Sequence, residues 1–206
     1  DVIIGYPGQK IIDVKETVNH LIKLDIPHIS SYMLSVEDGT RLKKMVDQGN
    51  LGLPKEDTVI SMYNAVYEML IKFGYERYEF SNFAKPTFES YHNQIYWKRK
   101  DYLGVGLAAH SYIDGTRFSN TENIVEYGEL IKQEKEPIVV AKNLTVEEQK
   151  EEAVMLSLRT TVGLDLDAYK QEFGENFLAK KKDTIANLIK NGFIKLTPSN
   201  KLVCTD

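Results

Sequence analysis

The sequence predicts an α/β fold built on parallel strands, followed by a small winged-helix-like α+β module. Three observations predict it. A short apolar run at 1–4, apolar residues at helical spacing (Ile11, Val14, Val18, Leu21, Ile22) and a second apolar run at 28–34 make a strand–helix–strand unit. The joints of that unit are short, as a parallel crossover requires. Near the C-terminus, three helical segments precede a strand pair around Thr197-Pro-Ser-Asn200.

Taken in order, the strand at 1–4 ends at the turn Gly5-Tyr-Pro-Gly8, and the helix at 11–24 is stopped by Pro27. Ligands of such folds sit beyond the carboxyl ends of the strands, here 5–9 and 35–40. A short charged helix is predicted over 40–48. A long one is marked by Val59, Met62, Tyr63, Val66, Leu70 and Phe73, with Gly74 suited to follow its last turn. Residues 75–80 read as a third strand opening an aromatic loop that runs to Trp97. Asp114-Gly115 is a strong two-residue turn signal for a hairpin over 111–120. The charged stretch 122–142, with Pro137, reads as a helical connector between a first domain at 1–121 and a second at 143–206. Thr145-Val-Glu-Glu148 is a capping box opening a helix to about residue 160. Helices at 165–173 and 175–191 follow, and then strands at 193–196 and 201–204.

Composition narrows the function. The 206 residues are 42% hydrophobic and 27% charged, with net charge −4, which is ordinary for a soluble globular protein and favours neither nucleic acid nor an anionic membrane. No apolar run is long enough to span a bilayer. The single cysteine, Cys204, excludes a disulfide framework and fits a reducing cytoplasm, and it cannot build a multi-thiolate metal site. The chain opens in mid-strand at Asp1, so it reads as a piece of a longer protein. An uncovered strand edge at 1–4 would then promote self-association.

Several residues invite a chemical reading, each beside a structural one. Asp1 is either a solvated terminal carboxylate or an acceptor for ribose hydroxyls. Gly5-Tyr-Pro-Gly8 and Gly104-Val-Gly106 are weak as phosphate loops, and the second lacks the third glycine of a dinucleotide fingerprint. His20 and His28 read as surface and structural residues, and His110 as a cavity residue. His92 is the most suggestive, flanked by Tyr91, Tyr96 and Trp97. It is either a satisfied histidine in an aromatic mini-core or a ligand for haem iron, with the aromatics lying against the macrocycle. Arg77, Lys98, Arg99 and Lys100 are near enough in sequence to pair with carboxylates. Lys180-Lys-Lys182 reads as a solvated helix face, with Glu172, Glu175 and Asp183 around it.

These segments resemble the HemW-type haem chaperones, a branch of the coproporphyrinogen-dehydrogenase-like radical SAM enzymes. The resemblance runs through Asp1–Gln9, Pro27–Tyr32, Glu37-Asp-Gly-Thr40, Gly74–Ala84, Tyr102–Gly106 and Ala109-His-Ser111. Its most specific part is His92-Asn-Gln-Ile-Tyr-Trp97, a His-Asn-x-x-Tyr-Trp pattern. The resemblance implies the C-terminal part of a (β/α)6 radical SAM partial barrel. Within it, Asp1, Ile3 and Ser35 would lie against SAM, and His92, Asn93, Tyr96 and Trp97 would form a haem site with His92 on the iron. It implies SAM and a [4Fe–4S] cluster in the parent protein. The Cys-x3-Cys-x2-Cys loop of the family has no counterpart here, so this chain alone is expected to hold no cluster and to be inactive. The implied partners are haem or another porphyrin and haem-acceptor proteins. The alternative is an enzyme converting coproporphyrinogen III to protoporphyrinogen IX.

Overall fold

A computed structural model describes residues 1–205, which form two compact units, Asp1–Ser90 and Tyr91–Asp206. In the first unit, β1 (Val2–Ile4), α1 (Ile11–Lys23) and β2 (His28–Met33) make the expected parallel unit, with Val2 opposite Ser31. α2 (Arg41–Asp47) is capped by the Thr40 hydroxyl, and α3 (Glu56–Lys72) gives way to Gly74 at φ +83°. One face of α1 and one of α3 cover the sheet. Val14 and Val18 meet Val2, Ile4, Ile29, Met62, Val66 and Phe83 in a core closed to solvent.

Gly5 is what lets α3 approach so closely. A Cβ there would stand 3.1 Å from the Val59 Cγ2, and the backbone at φ +87° is left-handed. Gln9 then locks the turn, accepting from the Gly5 N–H at 2.6 Å and donating to the Ile3 carbonyl at 3.2 Å.

Two expectations change in this unit. The third strand, β3 (Glu76–Glu79), does not open a long loop but turns at once into β4 (Asn82–Ala84). The sheet is also mixed, in the order β1-β2-β4-β3, with β4 antiparallel to both neighbours. The buried Glu79 carboxylate closes the turn by accepting from the Ser81 N–H at 2.9 Å and from the Asn82 amide. β1 has one neighbour, β2, among the described strands, and Ile3 is 52% exposed beside the exposed Tyr32.

The second unit begins with a helix where the sequence suggested a loop: α4 (Tyr91–Trp97) carries the aromatic cluster. The expected hairpin is present as β5 (His110–Ile113) and β6 (Thr116–Asn120), with Asp114 and Gly115 both at positive φ as a type I′ turn requires. The stretch read as a connector holds α5 (Ile124–Lys132) and also β7 (Ile138–Asn143), which pairs with β6 and completes a three-stranded antiparallel sheet. Beyond it come α6 (Val146–Arg159), β8 (Leu164–Asp165), α7 (Leu166–Phe173), α8 (Phe177–Lys180), α9 (Lys182–Lys190), β9 (Ile194–Leu196) and β10 (Lys201–Cys204). The helix expected over 175–191 is thus two, interrupted at Lys181 with Asn176 capping the first. β8 was not expected; it joins β10 and β9 in a small antiparallel sheet packed on Ala153, Leu166, Tyr169 and Ile185. No described helix is long and apolar enough to cross a membrane.

The capping box of α6 forms as read: the Thr145 hydroxyl accepts from the Glu148 N–H at 3.3 Å, and Glu148 accepts from the Thr145 N–H at 2.9 Å. An ion pair with Lys142, together with those bonds, holds the Glu148 carboxyl at about 2, below its ordinary 4.5. A lowered folded-state pKa gives stability that is present above the unfolded value and lost as pH falls through the folded one. The stability gap between wild type and Glu148→Gln should therefore be constant above about pH 5 and close as pH falls from 4.5 toward 2. Urea unfolding at a series of pH values checks this, and a gap independent of pH would contradict it.

Candidate functional site

The turn spacing of α4 decides which of its side chains meet. Residues four apart share a helix face, and this brings His92 onto Tyr96. The His92 Nε2 and the Tyr96 hydroxyl are 2.7 Å apart, with the rings edge to face at 4.7 Å. The Tyr96 ring in turn meets Tyr102 edge to face at 4.5 Å. Tyr102 is fixed by a backbone bridge to Tyr112 on β5, with N–H to O distances of 2.8 and 3.0 Å. Arg117 lies over the Tyr112 ring at 5.7 Å and pairs with Glu152 of α6 at 3.1 Å. Burial pushes the Tyr102 phenol above its ordinary range, only partly opposed by Arg117. A cavity of about 270 Å³ opens beside this stack, lined by Tyr96, Arg99, Tyr102, His110, Arg117 and Glu152.

Trp97 falls on a different side of α4. The Arg159 guanidinium stacks on its ring at 4.5 Å, and the indole N–H is buried without a hydrogen-bond partner among the described residues. Asn93 is half-buried on the same helix. Of the four residues assigned to haem, the structure therefore pairs His92 with Tyr96 and sets Trp97 apart as a packing residue.

The pairing suits an iron ligand. His92 is exposed, and a hydroxyl held on one ring nitrogen fixes the tautomer and ring angle while the other nitrogen stays open to a metal. Tyr102, Tyr112, Arg117 and Glu152 were not singled out from the sequence. The alternation of His110, Tyr112, Arg117 and Ser119 about Asp114-Gly115 was the available signal, since such residues share one face of a hairpin.

The positions assigned to SAM are spread along the first unit's parallel pair. Asp1 precedes β1, and Ile3 projects from its solvent-facing side. Ser35 lies past the far end of β2, its hydroxyl donating to Glu37 at 2.6 Å. They are not gathered at one point. For an iron–sulfur cluster the chain's residues do not fit: Cys204 is its one thiol and sits half-buried in β10. Among the described residues no three His, Cys, Asp or Glu side chains are grouped to hold a metal. His20 is exposed on α1, and His28 bonds the Tyr78 hydroxyl at 2.7 Å. Burial lowers the pKa of His28, which suits a structural role.

Comparison with known proteins gives these features a setting. Residues 144–206 match the family described as the HemN C-terminal domain. The chain is 34% identical to the haem chaperone HemW of Bacillus subtilis (strain 168), over 94% of this chain and 51% of that protein. It is 33% identical to the haem chaperone HemW of Mycobacterium tuberculosis (strain ATCC 25618 / H37Rv), over 87% of this chain and 47% of that one. Among solved structures, the coproporphyrinogen III oxidase HemN from Escherichia coli, described as a radical SAM enzyme, superposes with a TM-score of 0.77 at 18% identity. That likeness covers 98% of this chain and 50% of HemN, and it establishes a shared fold. The chain spans about half the length of the curated relatives it matches. With the His-Asn-x-x-Tyr-Trp helix in place and these relatives along nearly its whole length, the chain belongs to the HemW-type family of HemN-like proteins.

Proposed function

We propose that the chain is the haem-handling part of a radical SAM haem chaperone, whose parent binds haem and passes it to acceptor proteins in the cytoplasm or at a membrane. The observation that carries this reading is the His92–Tyr96 pair on α4: an exposed, oriented imidazole beside an aromatic stack with cations near it. The relatives named as haem chaperones support it. On the same reading, the first unit is the C-terminal part of a (β/α)6 barrel, with Asp1, Ile3 and Ser35 contributing to a SAM site in the parent, which also carries a [4Fe–4S] cluster. Residues 143–206 are a winged-helix-like module, and the uncovered edge of β1 supports self-association of this chain. The rival reading, oxidation of coproporphyrinogen III, has the shared fold in its favour but no residue observed here.

Titrating the 206-residue chain with ferric haem should give a saturable complex with a shifted Soret band. His92→Ala should weaken binding roughly tenfold, in line with loss of an oriented metal contact. No saturable binding by wild type would refute the reading, and an unaltered spectrum in His92→Ala would place the ligand elsewhere.

A further inference from the structure

β5, β6 and β7 present one face whose residues alternate out of register with the core. Pairing sets His110 opposite Ser119 and Tyr112 opposite Arg117, and then Ser119 opposite Val140 and Arg117 opposite Lys142. Side chains of cross-strand partners project to the same side of a sheet, so this face carries one imidazole, two cations and a phenol. Across from it lies α6, where Glu148, Glu152 and Met155 share a helix face. Between the two is a second cavity of about 490 Å³. It shares His110, Arg117 and Glu152 with the smaller one beside Tyr96. Together they form a cleft in the size range of small-molecule sites, apolar in most of its wall, with polar groups at a few places.

His110 borders both halves of the cleft, and its imidazole makes no hydrogen bond among the described residues. A histidine that packs for stability normally satisfies at least one ring nitrogen, as His28 does on Tyr78 and His92 on Tyr96. Arg117 uses its two terminal nitrogens on Glu152, each at 3.1 Å, and leaves its Nε–H without a partner. Lys142 is held at the rim by Glu148. A flat apolar ligand with an electrophilic centre and carboxylate arms matches this set of groups: neutral imidazole for the centre, guanidinium and ammonium for the arms.

We propose that the cleft between the β5–β6–β7 sheet and α6 seats the tetrapyrrole, with His110 as a second iron ligand and Arg117 as a donor to its carboxylates. This deepens the haem-binding reading and rests on it. Tyr96 joins the two imidazoles: it holds His92 through its hydroxyl and lines the cleft with its ring.

The test is absorption and electron paramagnetic resonance spectroscopy of the 206-residue chain loaded with ferric haem. Wild type should be six-coordinate and low-spin. His110→Ala should become high-spin and bind roughly tenfold more weakly, and added imidazole should restore the low-spin spectrum, which a misfolded variant could not do. Arg117→Gln should lose about tenfold in affinity for haem and nothing for haem dimethyl ester, since a charge-assisted bond is removed only from the free acid. A wild-type spectrum in His110→Ala, or a five-coordinate wild type, overturns the second-ligand assignment. Equal losses for haem and its ester overturn the role of Arg117. Absence of any wild-type complex would instead refute the broader haem-binding reading.

Discussion

Gly163→Ala should destabilise the second unit by about 3 to 5 kcal/mol, the sum of a left-handed backbone penalty and severe overpacking. Gly163 sits at φ +76°, just before β8, and its Cα lies directly against β10. A Cβ there would land on the Leu202 carbonyl oxygen and the Val203 Cγ1, far inside van der Waals contact. The backbone oxygen cannot swing aside as a side-chain tip could, because Leu202 is paired on both sides, with Leu164 and with Leu196. The β8–β10 ladder must open or the loop must move. Gly192→Ala is the control: its φ is +74°, yet nothing lies within 4 Å of the added carbon. That variant should lose only about 1 kcal/mol, the backbone part alone. Urea unfolding followed by circular dichroism measures both. If the two variants lose the same amount, the close approach at β10 contributes nothing and the argument fails.

Gly104→Ala should cost about 2 to 3 kcal/mol and should disturb the start of β5. The position needs no unusual backbone angle; what it lacks is room. An added Cβ would meet the His110 carbonyl oxygen at once, with the His110 carbonyl carbon at 2.9 Å and the Ala109 Cβ at 3.0 Å. The Gly104 N–H also donates to the Ser111 hydroxyl at 3.0 Å, tying the segment before β5 to the strand itself. The displaced residue carries the imidazole of the cleft, so the substitution acts on geometry as well as stability. Gly106→Ala, with open space around the new carbon, should leave amide exchange across 110–113 as in wild type, whereas Gly104→Ala should speed it. Unaltered exchange in Gly104→Ala would show that the strand tolerates the methyl group.

How much of this was legible in the sequence depended on whether burial left a period. β1, α1, β2 and α3 announced themselves because each buries one regular face: Val14 and Val18 a turn apart, and Met62, Val66 and Leu70 likewise. α4 did not. It is seven residues long, buries none of them fully and has no apolar stripe, so its helical nature shows only in the contact between His92 and Tyr96. β4 was hidden because the turn before it is closed by the Glu79 carboxylate and not by a recognised turn dipeptide. β7 was obscured differently. Ile138-Val-Val-Ala141 is a good strand sequence, but every residue of β7 is exposed and charged residues precede it, so it read as linker.

The candidate site divides in the same way. His92, Asn93, Tyr96 and Trp97 stand out as a motif, and their types alone suggest a flat, metal-bearing ligand. The participation of Tyr102, Arg117 and Glu152 could not be seen, because it depends on a sheet and a helix meeting from segments up to about fifty residues apart. The motif also blurred two roles. Its histidine and tyrosine form one interacting pair, whereas its tryptophan packs under Arg159.

That last arrangement makes the protein easy to interrogate by light. Trp97 is the chain's one indole, so its emission carries no contribution from elsewhere in the sequence. It rides on the same short helix as His92, stacked beneath a guanidinium and shielded from water. A strongly absorbing macrocycle arriving near that helix would drain its excited state by energy transfer. The same residue that packs α4 thereby serves as a built-in optical gauge of cargo loading, with no dye attached.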